Sequence, residues 1–243
     1  TRRQFLQQTA IGTAGILSVD MGQTTAARSS ATGTTAVAAG DFLNSMGACS
    51  SITGRGETLA GTVEALRYTG IRFIRCGLED RIAVKDMIAL HRQTGARIAY
   101  GLLSGCTDLA RLLAEARQLA SAGALLAIEG NNEPNNWGIT YEGQAGGRDK
   151  SWLPVARLQR DLYRGVKSDP VLRDYPVWNI SESGAQTDNV GLQFLTIADG
   201  AGTLMPDGTQ YADFANCHNY ITHPSWPGLH DNQTWRSASP GSN

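Results

Sequence analysis

The chain has 243 residues, 41% hydrophobic and 18% charged, with a formal net charge of -1. That length and apolar fraction suffice for one large core. The balanced charge offers no surface for neutralising phosphates, so nucleic acid is not an expected partner, and four scattered cysteines without a CxxC spacing argue against a zinc ribbon.

In chain order, residues 1–38 read as a leader and linker outside the fold. Arg2-Arg3-Gln4-Phe5-Leu6 precedes a mildly apolar run, Thr9 to Val19, and then a small-residue stretch, Thr24 to Ala38. Twin arginines, a weak apolar region and small residues at the exit predict a twin-arginine export signal; the alternative is an amphipathic first helix. The segment is too short and too polar to span a membrane. The expected location is therefore periplasmic or extracellular. In that oxidising setting, Cys49, Cys76, Cys106 and Cys217 are expected as free thiols, because they are scattered rather than paired in spacing.

Residues 39–243 alternate between strand and helix patterns. Phe42 to Met46 is a strand candidate ending near Gly47. Thr58 to Tyr68 has helical spacing, with Leu59, Val63 and Leu66 on one side, and Gly70 ends it. Ile71 to Arg75 is a strand; Ile82 to Gln93 is a helix stopped at Gly95. Ala96 to Leu103 is a strand, and Asp108 caps a helix through Ala120. Leu125 to Ile128 is the fourth strand. Trp152 to Lys167 is a helix, Pro176 to Ile180 a strand, Val190 to Ala198 a helix and Phe214 to Tyr220 a strand. Ile221 to Asn243 has no periodicity.

Six β units joined by helices imply a parallel sheet with helices outside it. Two architectures compete, a doubly wound sheet and a (β/α)8 TIM barrel. A doubly wound nucleotide-binding domain needs a glycine-rich first turn, and the nearest match, Gly54-Arg55-Gly56, lacks the third glycine and the preceding strand. Polar residues gather after every predicted strand: Cys49, Arg75, Ser104, Asn132, Glu133, Ser181, Glu182, His218 and Tyr220. Barrel enzymes build their sites on that rim, so the barrel is expected, incomplete at six of its eight units. About 200 residues follow the leader, against ~250 in a typical barrel, so the chain reads as a fragment of a longer protein.

The chemistry concentrates in Ala127-Ile128-Glu129-Gly130-Asn131-Asn132-Glu133-Pro134-Asn135-Asn136-Trp137. A buried strand there breaks into carboxylates, amides and an aromatic ring. Glycoside hydrolysis needs paired carboxyl groups, one of them a proton donor whose surroundings keep it protonated near neutrality. Glu133 suits that role, Asn132 can hydrogen-bond a hydroxyl, and Trp137 can stack on a pyranose face. Glu129 reads as a structural carboxylate, paired with Arg75 or a backbone amide. His218 and His223 lack the further ligands that zinc needs, so no metal or organic cofactor is expected. Trp226 and Trp235 read equally as sugar platforms or loop packing.

The run Glu129-Gly130-Asn131-Asn132-Glu133-Pro134-Asn135 resembles the strand-4 signature of clan A glycoside hydrolases, the retaining (β/α)8 enzymes. The resemblance implies that Glu133 is the general acid/base and that Asn132 contacts the sugar 2-hydroxyl. It also implies an active-site arginine at Arg75 and a cleft-lining pair at His218 and Tyr220. Phe42-Leu43-Asn44-Ser45-Met46-Gly47 followed by Gly70-Ile71-Arg72-Phe73-Ile74-Arg75 looks like bacterial members near family 39. The chain departs from them at Cys49-Ser50-Ser51, where those relatives often carry Asn and His. The clan's nucleophile, a glutamate ending strand 7, falls beyond the six counted strands, and Glu182 is expected to be a cleft or structural residue rather than its substitute. The expected activity is retaining cleavage of O-glycosidic bonds in an oligo- or polysaccharide. The alternative is a non-catalytic carbohydrate-binding barrel.

Overall fold

The computed structural model describes residues 36–182, 192, 194–216 and 218. Of the two units into which the chain divides, all described residues but Ala36 belong to the second, Val37–Asn243. Residues 1–35 of the expected leader, Cys217, Tyr220, His223, Trp226 and Trp235 lie outside the described residues.

Ala39–Asn44 forms a short helix, α1, and Gly47–Cys49 forms β1. This corrects the strand expected over Phe42–Met46. Phe42 is exposed, and the Asn44 side chain accepts a hydrogen bond from the Arg72 guanidinium at 2.7 Å. Ladder pairing starts instead at Gly47, opposite Phe73. A Cβ at position 47 would lie 2.0 Å from the Phe73 ring, so this glycine belongs inside the strand, where the neighbouring ring leaves no room for a side chain.

The following units keep the expected alternation. Helix α2 spans Leu59–Thr69; the Thr58 hydroxyl accepts from the Gly61 amide, and Gly70 closes the helix in the left-handed conformation. Both ends are as their residue types require. Strand β2, Phe73–Gly77, starts two residues later than expected and runs into a single 3-10 turn, Leu78–Asp80. Helix α3 is Val84–Thr94, strand β3 Arg97–Gly101, helix α4 Leu109–Ser121 and strand β4 Leu125–Glu129. The Asp108 carboxylate caps α4 by accepting from the Arg111 amide.

An antiparallel hairpin follows that the strand–helix rhythm concealed: β5, Ile139–Tyr141, and β6, Gln144–Gly146. Its two-residue turn, Glu142-Gly143, has positive φ at both positions, which matches the twist of a tight hairpin. Helix α5, Leu153–Ser168, and strand β7, Val177–Trp178, come next.

The helix expected over Val190–Ala198 is not formed in its described part. Thr196 makes an antiparallel bridge with Gln210, and Ile197 N–H donates to Thr209 C=O. Those backbone groups are taken by a neighbouring segment, so they cannot close helical turns. In the described part of the strand expected over Phe214–Tyr220, Phe214 forms a single parallel bridge with Trp178, and His218 N–H donates to Glu182 C=O.

The sheet is parallel and ordered β1-β2-β3-β4-β7, each strand beside the preceding strand of that sheet. A doubly wound sheet reverses its strand order partway; the described strands do not. Right-handed crossovers along an unreversed order put successive helices on one face. Consecutive helices α2 through α5 do touch their neighbours. Ile74, Cys76, Ile98, Tyr100 and Ile128 face that helical layer within the core, and the alternate residues Phe73, Arg75, Ala99, Ala127 and Glu129 face the other way. That second face is concave. Phe73 in β2 and Trp178 in β7 are three strand spacings apart, and Trp178 is level with Gly77 rather than Phe73, so a flat sheet would hold them more than about 14 Å apart. Their ring centroids lie 6.3 Å apart, edge to face, so the sheet curls around the face opposite the helices.

Candidate functional site

The concave face carries an ion pair. Glu129, at the end of β4, is fully buried, and Arg75 of β2 reaches it with two hydrogen bonds of 2.8 Å, from Nε and from a terminal nitrogen. On the intervening strand β3, Ala99 is in register with Arg75 and Gly101 with Glu129, so the residues beside the two groups are small. Asn216 adds a third donor to Glu129 at 2.7 Å. Burial works against the Arg75 charge, but the hydrogen bonds and charge of Glu129 more than offset it and raise its pKa above the usual arginine range. The pair suggested by sequence is thus a two-pronged, buried contact.

Arg75 also sets the orientation of Asn132. A terminal nitrogen of the guanidinium donates to Asn132 Oδ1 at 3.0 Å, and Asn132 Nδ2 donates to Ser104 Oγ at 3.2 Å. The amide therefore turns its N–H₂ toward the loop after β3. Its neighbour Asn131 is buried and ties the same loop down, donating to Leu103 C=O and Cys106 C=O at 2.9 and 2.8 Å.

Beyond β4 the backbone continues in parallel contact with the segment after β7. Ser181 N–H donates to Asn131 C=O, and Glu133 N–H donates to Ser181 C=O. Glu133 then adopts φ +45°, unusual for a residue with a side chain and more so before proline. Its carbonyl accepts from the amides of Asn136 and Trp137, closing a tight turn around Pro134. Holding a non-glycine residue in the left-handed region costs on the order of 1–3 kcal/mol. The turn places the Glu133 carboxylate 2.7 Å from His218 Nδ1 and 3.0 Å from Asn136 Nδ2, which donates to it. The side chain retains only 11% of its accessible surface.

A cleft of about 440 Å³ opens beside these groups, at the C-terminal ends of β1, β2 and β3. Its lining includes Asn132, Arg75 and the half-exposed ring of Trp137, together with Arg55, Glu57 and Glu79. The two sequence neighbours that flank the Glu133 turn, Asn132 and Trp137, line the cleft; Glu133 itself does not. Glu57 is cradled by three donors: Ser50 Oγ at 2.5 Å, Ser51 N–H at 3.1 Å and Ile52 N–H at 3.2 Å. Desolvation pushes its pKa up, but those hydrogen bonds together outweigh it and hold the pKa below the ordinary glutamate value.

The structure thus brings together Glu133, Asn132, Arg75, His218 and Trp137; Tyr220 lies outside the described residues. His218 touches Glu133 directly, a contact that sequence position did not specify. Asn136 and Asn216 were missed. Asn136 is three residues past Glu133, a separation that a turn could close, whereas nothing local links Asn216 to Glu129. Cys49, Cys76 and Cys106 are free thiols. Among the described residues no group of histidine, cysteine and carboxylate side chains is arranged to hold a metal ion, and no helix is long and apolar enough to cross a membrane. Comparison with models of known protein families, with curated proteins and with solved structures gave no match.

Proposed function

We propose that this chain is an exported retaining glycoside hydrolase built on a (β/α)8 barrel, with Glu133 as general acid/base. The barrel reading rests on the unreversed order of parallel strands, the helices on one face and the curl measured across Phe73 and Trp178. One observation carries the catalytic reading: a nearly buried carboxyl group past the C-terminal end of β4, aimed by His218 and Asn136 from a strained turn. Barrel enzymes place their reacting groups on that rim.

In this mechanism Glu133 gives its proton to the departing glycosidic oxygen while a second carboxylate attacks the anomeric carbon. Glu133 then takes a proton from water, which releases the sugar from the second carboxylate. Retention requires the two carboxyl groups to lie ~5–5.5 Å apart; no described residue is assigned as the nucleophile. Asn132, its amide turned by Arg75, donates to a sugar hydroxyl. Trp137 supplies an apolar face for the ring.

The full-length gene product assayed on aryl glycosides tests the proposal. Glu133→Ala should slow hydrolysis by about 10²–10⁴-fold for a poor leaving group and far less for one that needs no protonation. Added azide should restore turnover and give a glycosyl azide of retained configuration. Equal rates for wild type and variant on both substrates would refute the role. A second reading, a carbohydrate-binding barrel without turnover, is favoured by the absence of Glu133 from the cleft wall; saccharide-dependent quenching of Trp137 fluorescence with no hydrolysis would establish it.

The export component rests on Arg2-Arg3 and the residues after them. Replacing both arginines by lysine should leave the protein in the cytoplasmic fraction, whereas an unaltered periplasmic or secreted yield would refute twin-arginine export.

A further inference from the structure

The turn that carries Glu133 is gripped by an element outside the parallel sheet. A side chain held at φ +45° persists only where its surroundings over-determine it. On the sheet side, Ser181 supplies that restraint by accepting from the Glu133 amide. On the other side it comes from the base of the β5–β6 hairpin. Arg148 N–H donates to Pro134 C=O at 2.8 Å. Gly147, left-handed at φ +77°, lies so near that a Cβ there would fall 2.3 Å from the same carbonyl oxygen. The exit of the turn is also close to the hairpin: a Cβ on Gly138 would lie 3.3 Å from Gly146 C=O. The hairpin is in turn fixed to α5. Both its strands pack on that helix, and a Cβ on Gly146 would meet Pro154, in the helix's first turn, at 2.9 Å. Tyr141 Oη donates to Asp161 of the same helix at 2.9 Å.

We propose that the β5–β6 hairpin is a brace that aims Glu133, with Gly147 as the positioning residue where brace and turn meet. The proposal rests on the glycosidase reading for what Glu133 does, and it assigns the hairpin's part in that work. Pro134 follows Glu133 directly, and its ring fixes φ, so the turn has one dihedral fewer with which to absorb a push on the Pro134 carbonyl. Such a push moves the Glu133 carboxylate off His218 Nδ1 and Asn136 Nδ2, which it meets at 2.7 and 3.0 Å. A reacting group misplaced by ~1 Å loses about 10²-fold in rate. At position 147 any side chain would both collide with that carbonyl and resist the left-handed backbone. Gly143, at the hairpin tip, provides the contrast: it is left-handed at φ +73°, with open space where a Cβ would go.

The test compares Gly147→Ala with Gly143→Ala in the full-length protein, by amide exchange and by kcat/KM on two aryl glycosides. In Gly147→Ala the amides of Asn136 and Trp137, which donate to Glu133 C=O, should exchange at least about tenfold faster while β3 and β4 keep wild-type protection. The same variant should lose about 10²-fold in kcat/KM on a phenyl glycoside. On a dinitrophenyl glycoside, whose leaving group needs no proton, the loss should stay under about threefold. Gly143→Ala carries similar backbone strain without the collision and should match wild type in both measurements. If Gly147→Ala does not fold, Tyr141→Phe loosens the hairpin from α5 without any clash, and it should speed exchange of the same two amides by about threefold or more. Wild-type exchange at Asn136 and Trp137 in the variant measured, equal losses on the two glycosides, or the same changes in Gly143→Ala would overturn the brace and leave the glycosidase reading standing. If the wild-type protein cleaves neither glycoside, the glycosidase reading falls, and the exchange rates of Asn136 and Trp137 alone decide whether the hairpin holds the turn.

Discussion

At the scale of single residues, the site is organised by groups that neutralise or orient one another. Arg75 and Glu129 lie on strands two apart and face the same side, so burial of either charge depends on the other. Removing one partner of such a pair leaves an uncompensated charge, at a cost of about 3–5 kcal/mol. Arg75→Met or Glu129→Gln should therefore lower the chemical-denaturation free energy by that order, and Arg75→Met combined with Glu129→Leu should recover part of the loss. If both single variants unfold with the wild-type midpoint, the pair contributes nothing to the fold. Much of this scale was legible in advance. The Asn-Glu-Pro turn is local, and Glu129 announced itself as the carboxylate that a buried strand must pair. What pairs with Glu133 was not legible: His218 is 85 residues away, and only the tertiary fold brings it near.

At the scale of elements, the helices are joined by specific polar contacts as well as by core packing. Asp169, just past α5, accepts from the amides of Val171 and Leu172 at 2.8 and 3.2 Å and from Arg117 of α4 at 2.5 Å. Burial would raise its pKa, but these donors more than offset that and hold it below the ordinary aspartate value. The folded state thus binds the proton more weakly than the unfolded one, so the stabilisation is present above pH ~4 and is lost as pH falls through the depressed value. Asp169→Asn should be less stable than wild type at neutral pH, and the gap should close in acid. A gap that stays constant down to the acid transition would show that the carboxylate charge plays no part. Element types were readable from caps and glycines: Thr58, Gly70, Gly95 and Asp108 each act where their chemistry directs. One error fell on short segments. A six-residue helix and a three-residue strand share the window Ala39–Cys49, and too few residues lie there for periodicity to separate them.

At the scale of the whole molecule, stability should grade across the sheet. Strands β2, β3 and β4 have a partner on both sides, whereas β1 has one described partner and the β5–β6 hairpin stands apart as its own two-stranded sheet. Opening free energy follows such contacts. Native-state amide exchange should be slowest in β2 to β4 and at least about tenfold faster in β1 and the hairpin. Uniform protection across all of these strands would mean that the sheet opens only as one unit, and that the hairpin is locked to it.

The sequence by itself determined the alternation of parallel strands with helices and the concentration of polar chemistry at Asn132, Glu133 and Trp137, because caps, glycine stops and hydrophobic periods act over a few residues. Only the tertiary structure decided that the strands run unreversed in one curling sheet, that Arg75 is bound to Glu129, and that Glu133 turns toward His218 and Asn136 rather than into the cleft lined by Asn132 and Trp137. These outcomes depend on the angle between neighbouring strands and on the path of loops after them. Both are set by packing between residues far apart in the chain, which no local pattern records.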